Sequence, residues 1–349
     1  MSKVLITHAE TATSAAPDLT TLWDTLIGGI VADRPDSARL LPAAGGPGPC
    51  LPRLTAAALG PVLPRLRAAA NDRRRGRPVV LVSTVLGSRP YYDHSHAEAG
   101  WFGIRHALTM DVAVISDLVG EATDVIGIGS GGAAGTTAVG IARGLIACGR
   151  ADFVVCLGIE IGSLEMMLPG EGWGVLVLES DRWAREPVGS VLGYGEASDG
   201  YDLTARSPVG AGLTAAVTRA LAESGSTVDD IGWICAQGTG TPVDDARQAR
   251  IYGRLFGSRR RPVPCVSLAG VTGYCRGASG IIEAAVACRS LREVMVPANS
   301  PPGEADSAVA APGSVFTPAA PMAMDPESRV LSTSFGFGGA VSAIVIGQV

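Results

Sequence analysis

The sequence is poor in the side chains that most often perform acid–base chemistry. It has only four histidines, at positions 8, 94, 96 and 106, so the last two thirds of the 349 residues contain none. Lys3 is the only lysine, charged residues make up 17% of the chain, and aromatic residues make up 5%. Imidazole is the usual general acid or base near neutral pH. The last two thirds of the chain cannot contribute one.

Features that define several other protein classes are also missing. The apolar stretches are shorter than the ~18 residues of a membrane span, and the N-terminus has no secretory h-region. The net charge of −5 gives no electrostatic footprint for nucleic acid. The seven cysteines are odd in number and lack paired spacing, which indicates reduced thiols rather than a disulfide framework. We therefore expect a cytoplasmic protein that binds neither nucleic acid nor membrane.

Hydrophobic residues, by contrast, are abundant and regularly placed. They make up 47% of the chain, which excludes extensive disorder. Short β-branched runs predict strands over 4–7, 79–86, 125–128, 153–159, 175–179, 231–236, 263–267, 330–334 and 341–346. Helical spacing predicts helices over 19–27, 133–148, 211–224, 245–256 and 278–291. This alternation is typical of an α/β fold with much parallel sheet.

One stretch interrupts this alternation. Residues 34–78 contain eight prolines and an arginine triplet at 73–75, so we predict an irregular surface excursion with a short helix and solvated charges. A change of pattern near 180–187 divides the rest of the chain into comparable halves. We place these halves at 1–185 and 186–349, and each ends in a glycine-rich strand pair.

A glycine-rich turn joins a predicted strand to the predicted helix over 133–148. Residues 127–132 satisfy the pattern G-x-G-x-x-G, and the next strand ends in Glu160. In dinucleotide-binding folds such glycines let the backbone approach a pyrophosphate, and the acid binds the ribose. Glu160, however, lies 28 residues after Gly132, beyond the usual spacing of about 20. The turn could equally form an oxyanion hole from backbone amides, so the motif alone leaves both functions open.

Four further motifs carry a resemblance to a known family. They are LPGEGWGVLVLE at 168–179, AQGTGTPVDD at 236–245, VTGYCRGASG at 271–280 and SFGFGG at 334–339. In this order and at these intervals they resemble the β-ketoacyl synthases of the thiolase superfamily. The resemblance spans nearly the whole chain outside the proline-rich stretch. It implies a thiolase-like fold, a five-layered α/β/α/β/α sandwich of two similar halves.

The resemblance also implies where the active site lies, and that its reactive side chains are absent. The family's nucleophilic cysteine corresponds to Gly132 in this sequence. Its two catalytic histidines correspond to Gln237 and Tyr274, and the lysine five residues before the second histidine corresponds to Ala269. Every reactive position of the family's site is therefore replaced.

The backbone segments that surround the family's active site do have counterparts in this sequence. The helix N-terminus at Gly132 corresponds to one side of the oxyanion hole. The loop containing Phe337 and Gly338 corresponds to the other side, where the Phe337 amide would complete the hole. The sequence departs from the family directly after this loop, because the family's Thr-Asn is Ala-Val here, at 340–341.

A chain with these replacements is expected not to condense acyl groups by itself. Condensation needs a thiolate to accept the acyl chain and imidazoles to stabilise the enolate, whereas glycine has no side chain and the Gln237 amide neither gains nor loses a proton near neutral pH. Within the family such a member resembles a chain-length factor, which pairs with an active ketosynthase and helps shape the tunnel for a growing polyketide or fatty-acyl chain. We expect a heterodimer with a homologous active ketosynthase, or a homodimer. An acyl carrier protein is the further partner implied, with no cofactor and no metal.

Two other functions stay open. One is a repurposed acyl-transfer enzyme that uses the same pocket, and the other is a dinucleotide-binding oxidoreductase, which only the glycine turn favours. Among residues that could supply new chemistry, Ser130 has no histidine base, and Cys275 is interpreted as a buried structural thiol. The alternate spacing of His94, His96 and Glu98 lacks a second ligand group elsewhere, so no metal site is predicted.

Overall fold

The structure, a computed structural model, describes residues 2–28, 50–85, 111–160, 170–203, 205–299 and 314–349. The strands within these residues are β1 (Val4–Thr13), β2 (Val79–Ser83), β3 (Asp124–Ile128), β4 (Phe153–Glu160), β5 (Gly172–Ser180), β6 (Gly189–Ser198), β7 (Ile231–Cys235), β8 (Val263–Val266), β9 (Met295–Val296), β10 (Val315–Phe316), β11 (Met322–Ala323), β12 (Arg329–Phe335) and β13 (Ala340–Gly347). The helices are α1 (Leu19–Gly28), α2 (Cys50–Leu59), α3 (Leu63–Asn71), α4 (Ala134–Ala147), α5 (Ala211–Ser224), α6 (Pro242–Leu255), α7 (Ala269–Thr272) and α8 (Arg276–Glu293). Residues 111–119 are also helical. None of the helices in these ranges is long and apolar enough to cross a membrane.

Eleven of these strands form one long mixed sheet that repeats the same order twice, and β9 and β11 pair with each other in a separate two-stranded sheet. The order is β10-β8-β7-β12-β13-β6-β1-β5-β4-β2-β3. The first half contributes β3-β2-β4-β5-β1 and the second half contributes β8-β7-β12-β13-β6. These are the same order, 3-2-4-5-1, when the five main strands of each half are counted along the chain and the two-residue strands β9, β10 and β11 are left out. The halves meet where Leu5 and Ile6 of β1 pair with Ser190 and Gly189 of β6. The predicted α/β fold of two similar halves is confirmed, and the boundary between 185 and 186 stays a prediction.

Three hydrophobic clusters stack these elements in five layers. The central cluster holds α4 and α8 between the two half-sheets. The second cluster lies on the outer face of the first half-sheet, under α2, α3 and the helical residues 111–119. The third lies under α5 and α6 on the outer face of the second half-sheet. In the centre, a Cβ on Gly280 of α8 would lie 2.2 Å from Thr136 Oγ1 of α4. This close contact brings the N-terminal ends of α4 and α8 side by side.

The stretch 34–78, for which an irregular excursion with one short helix is predicted, contains two helices within residues 50–71. These residues form α2 and α3, and Leu54, Leu59 and Leu66 are buried in the outer cluster of the first half. Proline did not prevent the helices because Pro64 lies in the first turn of α3, where the missing N–H has no helical partner to lose. The earlier part of the excursion, 34–49, lies outside the described residues.

The arginine triplet at 73–75 also differs from expectation, because its members are not equally solvated. The Arg75 side chain is 16% exposed, and its Nη1 lies 3.0 Å from Glu179 Oε1. Arg65 binds the other oxygen of the same carboxylate, with Nη2 at 2.6 Å from Oε2. Glu179 is buried, so two guanidinium groups neutralise it from the two sides. Arg73 and Arg74 are exposed, as expected, and Arg74 pairs with Asp72 at the surface, with Nη2 at 2.9 Å from Oδ2.

Candidate active site

The glycine turn after β3 packs against the second glycine-rich loop. Gly131 has a φ of +61°, a conformation that strains any residue with a side chain. A Cβ on Gly131 would lie 3.1 Å from Phe337 N, and a Cβ on Gly336 would lie 2.0 Å from Ser130 O. The close approach of the two loops therefore requires these glycines, with no need for a pyrophosphate to explain them.

Glu160, the acid considered as a ribose ligand, is fully buried. Its Oε2 accepts hydrogen bonds from the backbone amides of Val85, at 3.0 Å, and Gly277, at 3.1 Å. The carboxylate thus ties together the chain after β2 and the first turn of α8. A ribose would have to break both bonds to reach it, so the structure removes the acid on which the dinucleotide alternative depended.

Gly132, Gln237 and Tyr274 are far apart in the sequence but meet at one point in the structure. A Cβ on Gly132 would lie 1.9 Å from Tyr274 Oη, 2.6 Å from the Phe335 carbonyl oxygen and 2.9 Å from Gln237 Nε2. Real Cβ atoms essentially never approach other heavy atoms this closely. In this arrangement position 132 accommodates only glycine.

Gln237 is the centre of the hydrogen-bond network at this point. Its Nε2 donates to Tyr274 Oη at 2.6 Å and to the Phe335 carbonyl at 3.0 Å. Its Oε1 accepts from the Phe335 amide and from Arg206 Nη2, both at 3.1 Å. The Arg206 guanidinium also lies 4.2 Å from the centroid of the Phe335 ring. Because an amide side chain can form four hydrogen bonds, the orientation of Gln237 is fully determined.

Burial keeps the phenol in this network protonated. Tyr274 is 8% exposed, and Gln237 is 2% exposed. Desolvation raises the pKa of Tyr274 above its usual range, and the neighbouring Arg206 opposes that shift only in part. Tyr274 is therefore neutral at physiological pH, and it has no phenolate to act as a base or nucleophile.

Glycine-dependent turns position both side chains. β7 ends at Cys235. Gln237 lies two residues later, directly before Gly238, which has a φ of +47°. Tyr274 lies between α7 and α8, directly after Gly273, which has a φ of +68°. These left-handed positions let the chain change direction sharply. Both side chains consequently reach the start of α4.

Ala269 lies on the wall of a small cavity beside Tyr274. The cavity has room for about one water molecule, and Cys275 and Glu283 also line it. Glu283 is buried, and Ser332 Oγ donates a hydrogen bond to its Oε2 at 2.9 Å. Burial raises the pKa of Glu283 to about 8, although the Ser332 hydrogen bond lowers it in part. The carboxyl group therefore holds a proton at neutral pH.

Phe337 and Gly338 lie in the loop that packs beside the glycine turn. The Phe337 side chain is 66% exposed, and its backbone nitrogen lies 3.1 Å from the Cβ position of Gly131. The Gly338 amide donates to the Leu203 carbonyl at 2.8 Å, so this amide is used within its own surroundings. The structure brings the two loops together, whereas the oxyanion roles of Gly132, Phe337 and Gly338 stay predictions.

Two of the remaining candidates, Ser130 and Cys275, form hydrogen bonds within their own surroundings. Ser130 Oγ donates to Thr137 Oγ1 at 3.1 Å, and burial raises the pKa of the Cys275 thiol. His94, His96 and Glu98 lie outside the described residues. The three described atoms nearest to the Gly132 Cβ position are a phenol oxygen, a backbone carbonyl oxygen and an amide nitrogen. What this arrangement offers chemically is a set of neutral hydrogen bonds beside one arginine.

Arg206, Phe335 and Glu283 also belong to this site, although they are not among the residues predicted from the sequence. Glu283 did carry a signal, because it is an acid in the middle of a helix of small and apolar residues. Phe335 contributes mainly through its backbone, which no side-chain pattern reveals. Arg206 lies in the irregular segment between β6 and α5, where nothing in the local sequence distinguishes it.

Comparison with known proteins connects this geometry to a family. Residues 188–301 match the family model described as Beta-ketoacyl synthase, C-terminal domain. A 3-oxoacyl-[acyl-carrier-protein] synthase 2 of Vibrio cholerae serotype O1 is 30% identical over 181 residues, which cover 50% of this chain and 43% of that synthase. The match spans less than half the length of that curated relative.

Solved structures of similar fold cover the whole chain. A ketosynthase in complex with its chain length factor, from Xenorhabdus doucetiae, matches with a TM-score of 0.80 and 21% identity, covering 100% of this chain and 98% of that chain. A type II polyketide synthase acyl-carrier protein in complex with its ketosynthase matches with a TM-score of 0.81 and 18% identity, covering 100% of each chain. The thiolase-like fold predicted from the sequence is thereby confirmed.

Proposed function

Since this chain is a ketosynthase-like member of the thiolase superfamily, we propose that it is a non-condensing subunit of polyketide or fatty-acid-type biosynthesis. It acts beside an active β-ketoacyl synthase in the manner of a chain-length factor. Its contribution is to the shape of the assembled complex, and the partner subunit supplies the bond-forming chemistry.

The observation that carries this proposal is the space around Gly132. The position that corresponds to the family's nucleophile has no side chain, and its nearest neighbours are the Tyr274 hydroxyl, the Phe335 carbonyl and the Gln237 amide. None of these groups can hold an acyl chain as a thioester or stabilise an enolate as an imidazolium does. Such a centre supports a role in assembly and shape.

A partner of the same fold is supported by the free edge of the long sheet. β3 pairs with β2 and forms the end of the sheet among the described strands. Ile126 of this edge strand is 44% exposed. An unpaired edge invites pairing with another strand, and an obligate interface typically buries more than ~2,000 Å². We propose that a homologous ketosynthase with an intact Cys-His-His set pairs at this edge, and that an acyl carrier protein serves the complex.

The first test concerns chemistry. The purified chain alone, incubated with acyl-loaded and malonyl-loaded carrier protein, is expected to give neither condensation nor decarboxylation products by mass spectrometry. An intact ketosynthase under the same conditions is the positive control. The Gly132→Cys variant is expected to stay inactive, because both histidine positions still hold Gln237 and Tyr274. Turnover by the unaltered chain at ordinary ketosynthase rates would overturn the proposal.

The second test concerns assembly. Co-expression with the ketosynthase encoded nearest to it, followed by size-exclusion chromatography with light scattering, is expected to give a one-to-one heterodimer. Ile126→Lys should abolish it by placing a charge on the pairing edge. Phe316→Lys is the matched control, because Phe316 is 39% exposed on β10 at the opposite end of the sheet. A stable monomer that ignores the ketosynthase would count decisively against the proposal.

A further inference from the structure

We infer that Tyr274 closes the pocket of this subunit to acyl groups, because its phenol occupies the space where a nucleophilic side chain and the first atoms of a bound acyl chain would lie. The inference rests on the proposed function only for the choice of acyl groups as the excluded ligand. It adds that any acyl chain handled by the assembled complex lies outside this subunit's own centre. Tyr274 is then the residue that determines what this pocket admits.

The Tyr274 phenol oxygen lies where a side chain at position 132 would begin. Tyr274 Oη lies 1.9 Å from the place where a Cβ on residue 132 would stand. That distance is far inside van der Waals contact, so the phenol oxygen occupies the volume that a side chain at position 132 would fill. A ligand atom placed at the start of α4 would meet the same oxygen.

Hydrogen bonds and packing hold the Tyr274 phenol in place. It accepts a 2.6 Å hydrogen bond from Gln237 Nε2, and the same nitrogen is tied to the Phe335 carbonyl at 3.0 Å. Arg206 fixes the other end of the Gln237 amide at 3.1 Å. Tyr274 is only 8% exposed, so swinging the ring aside would break a buried hydrogen bond and displace packed neighbours.

The Tyr274 ring also separates a small cavity from the glycine turn at Gly132. The small cavity beside Tyr274 is lined by Ala269, Ile282 and Glu283. With the ring in place the cavity has room for about one water molecule. Removal of the ring would join this cavity to the space beside Gly132. The combined pocket would reach from the glycine turn to the wall at Ala269, which is the path an acyl chain would need.

The geometry therefore couples positions 132 and 274. A methyl group at 132 clashes with Tyr274 Oη at 1.9 Å and with the Phe335 carbonyl at 2.6 Å. Tyr274→Phe deletes only the hydroxyl and relieves only the first of these contacts. Part of the folding stability lost in Gly132→Ala must then depend on the hydroxyl. The rest of that loss must remain in the Tyr274→Phe background because the Phe335 backbone is unchanged.

Ligand binding tests the closure directly. The full chain, Tyr274→Phe and Tyr274→Ala are titrated with the fluorescent fatty acid cis-parinaric acid, and bound probe is displaced with octanoyl-pantetheine. Tyr274→Phe is the matched control because it keeps the ring. Tyr274→Ala is expected to gain one saturable, displaceable site that the other two proteins lack. Equal stoichiometry in all three proteins, with Tyr274→Ala folded by circular dichroism, would overturn the inference.

A double-mutant cycle tests the steric coupling without relying on Tyr274→Ala. Urea unfolding is measured for the full chain, Gly132→Ala, Tyr274→Phe and the double variant. Gly132→Ala is expected to lower the folding equilibrium constant in both backgrounds. The factor by which it does so should be at least tenfold smaller in the Tyr274→Phe background than in the unaltered chain. Equal losses in the two backgrounds would show that the phenol does not occupy the position. Because both tests use this chain alone, they can fail while the assembly with a ketosynthase stands, and the reverse also holds.

Discussion

Helices α4 and α8 occupy equivalent places in the two halves and differ in what they bring to the centre. α4 connects β3 with β4, and α8 connects β8 with β12, so each joins the third and fourth strands of its own half. α4 begins beside Gly132, which contributes no side chain, and its buried residues include no ionisable group. α8 begins beside Tyr274, whose hydroxyl fills that space, and it buries Glu283.

The contrast shows that the residues at the starts of the two helices fit each other, because the absence of a side chain at Gly132 is matched by the Tyr274 hydroxyl. A side chain removed at the start of α4 would by itself leave a cavity, which costs stability in proportion to its volume. The phenol at the start of α8 fills the volume, and the Gln237 amide satisfies the phenol. The centre is thus a packed and hydrogen-bonded joint between the halves.

The largest effect is expected where the two helices touch. In Gly280→Ala the new Cβ would lie 2.2 Å from Thr136 Oγ1 and 2.4 Å from the Thr136 backbone nitrogen. Because the backbone of α4 cannot move without disturbing both half-sheets, we expect a loss of about 3 kcal/mol or more in the free energy of unfolding, at the upper end for overpacked cores. Urea denaturation with a two-state fit measures it.

Gly144→Ala is the matched control for that variant. Gly144 lies on α4 with nothing within 4 Å of its Cβ position, so alanine there should stabilise the chain by about 0.5–1 kcal/mol through helix propensity. Similar effects of the two substitutions would show that α4 and α8 are not in the contact described.

A smaller effect is expected from removing the amide that links the two helix starts. Gln237→Leu keeps the approximate volume but leaves Tyr274 Oη and the Phe335 N–H and C=O without their partner. Buried polar groups left unpaired cost about 1–3 kcal/mol each before relaxation, so a net loss of about 2 kcal/mol is expected by chemical denaturation.

Gln248→Leu controls for replacing a buried glutamine. Gln248 is 4% exposed, accepts one long 3.4 Å bond from the Gly238 amide, and has no described partner for its Nε2. Its replacement should cost less than about 1 kcal/mol, since only one weak bond is lost. Equal costs for the two leucine variants would mean that the network around Gln237 does not stabilise the joint.

Much of the fold could be predicted from the sequence because its signals are local. The continuous apolar runs of β4 and β5 and the small-residue helix α4 were predicted near their observed bounds. β6 was missed, because Gly193 and Gly195 dilute its apolar pattern. Those glycines are needed where α5 crosses, since Cβ atoms there would lie 2.2 Å and 2.0 Å from its backbone carbonyls. Such a requirement comes from tertiary packing and leaves no local pattern.

The candidate site could be predicted only through the resemblance. Nothing in the local sequence says that Gly132, Gln237 and Tyr274 meet, because their proximity depends on the pairing of the two halves. The resemblance predicts, position by position, that reactive residues are replaced, whereas it does not predict that the Tyr274 hydroxyl fills the space beside Gly132. That filling depends on a distance between Tyr274 and Gly132 that only the assembled helices define.

The last effect depends on pH and concerns the buried acid that distinguishes α8 from α4. The folded-state pKa of Glu283 is about 8, raised by burial from a value of 4.5. The folded state therefore keeps a proton that the unfolded state releases between these values. The contribution of this group to stability is fully present below pH 4.5 and is lost as the pH rises toward 8, at no more than ~1.4 kcal/mol per pH unit.

Glu283→Gln keeps an acceptor for the Ser332 hydroxyl and cannot ionise. Its stability relative to the unaltered chain should rise steadily from pH 5 to pH 8 in urea unfolding. Glu293→Gln, at the partly exposed end of the same helix, controls for the loss of one carboxylate from α8. Parallel stability curves for the unaltered chain and Glu283→Gln would mean that Glu283 is already ionised in the fold, and the contrast between the two central helices would then reduce to Gly132 and Tyr274.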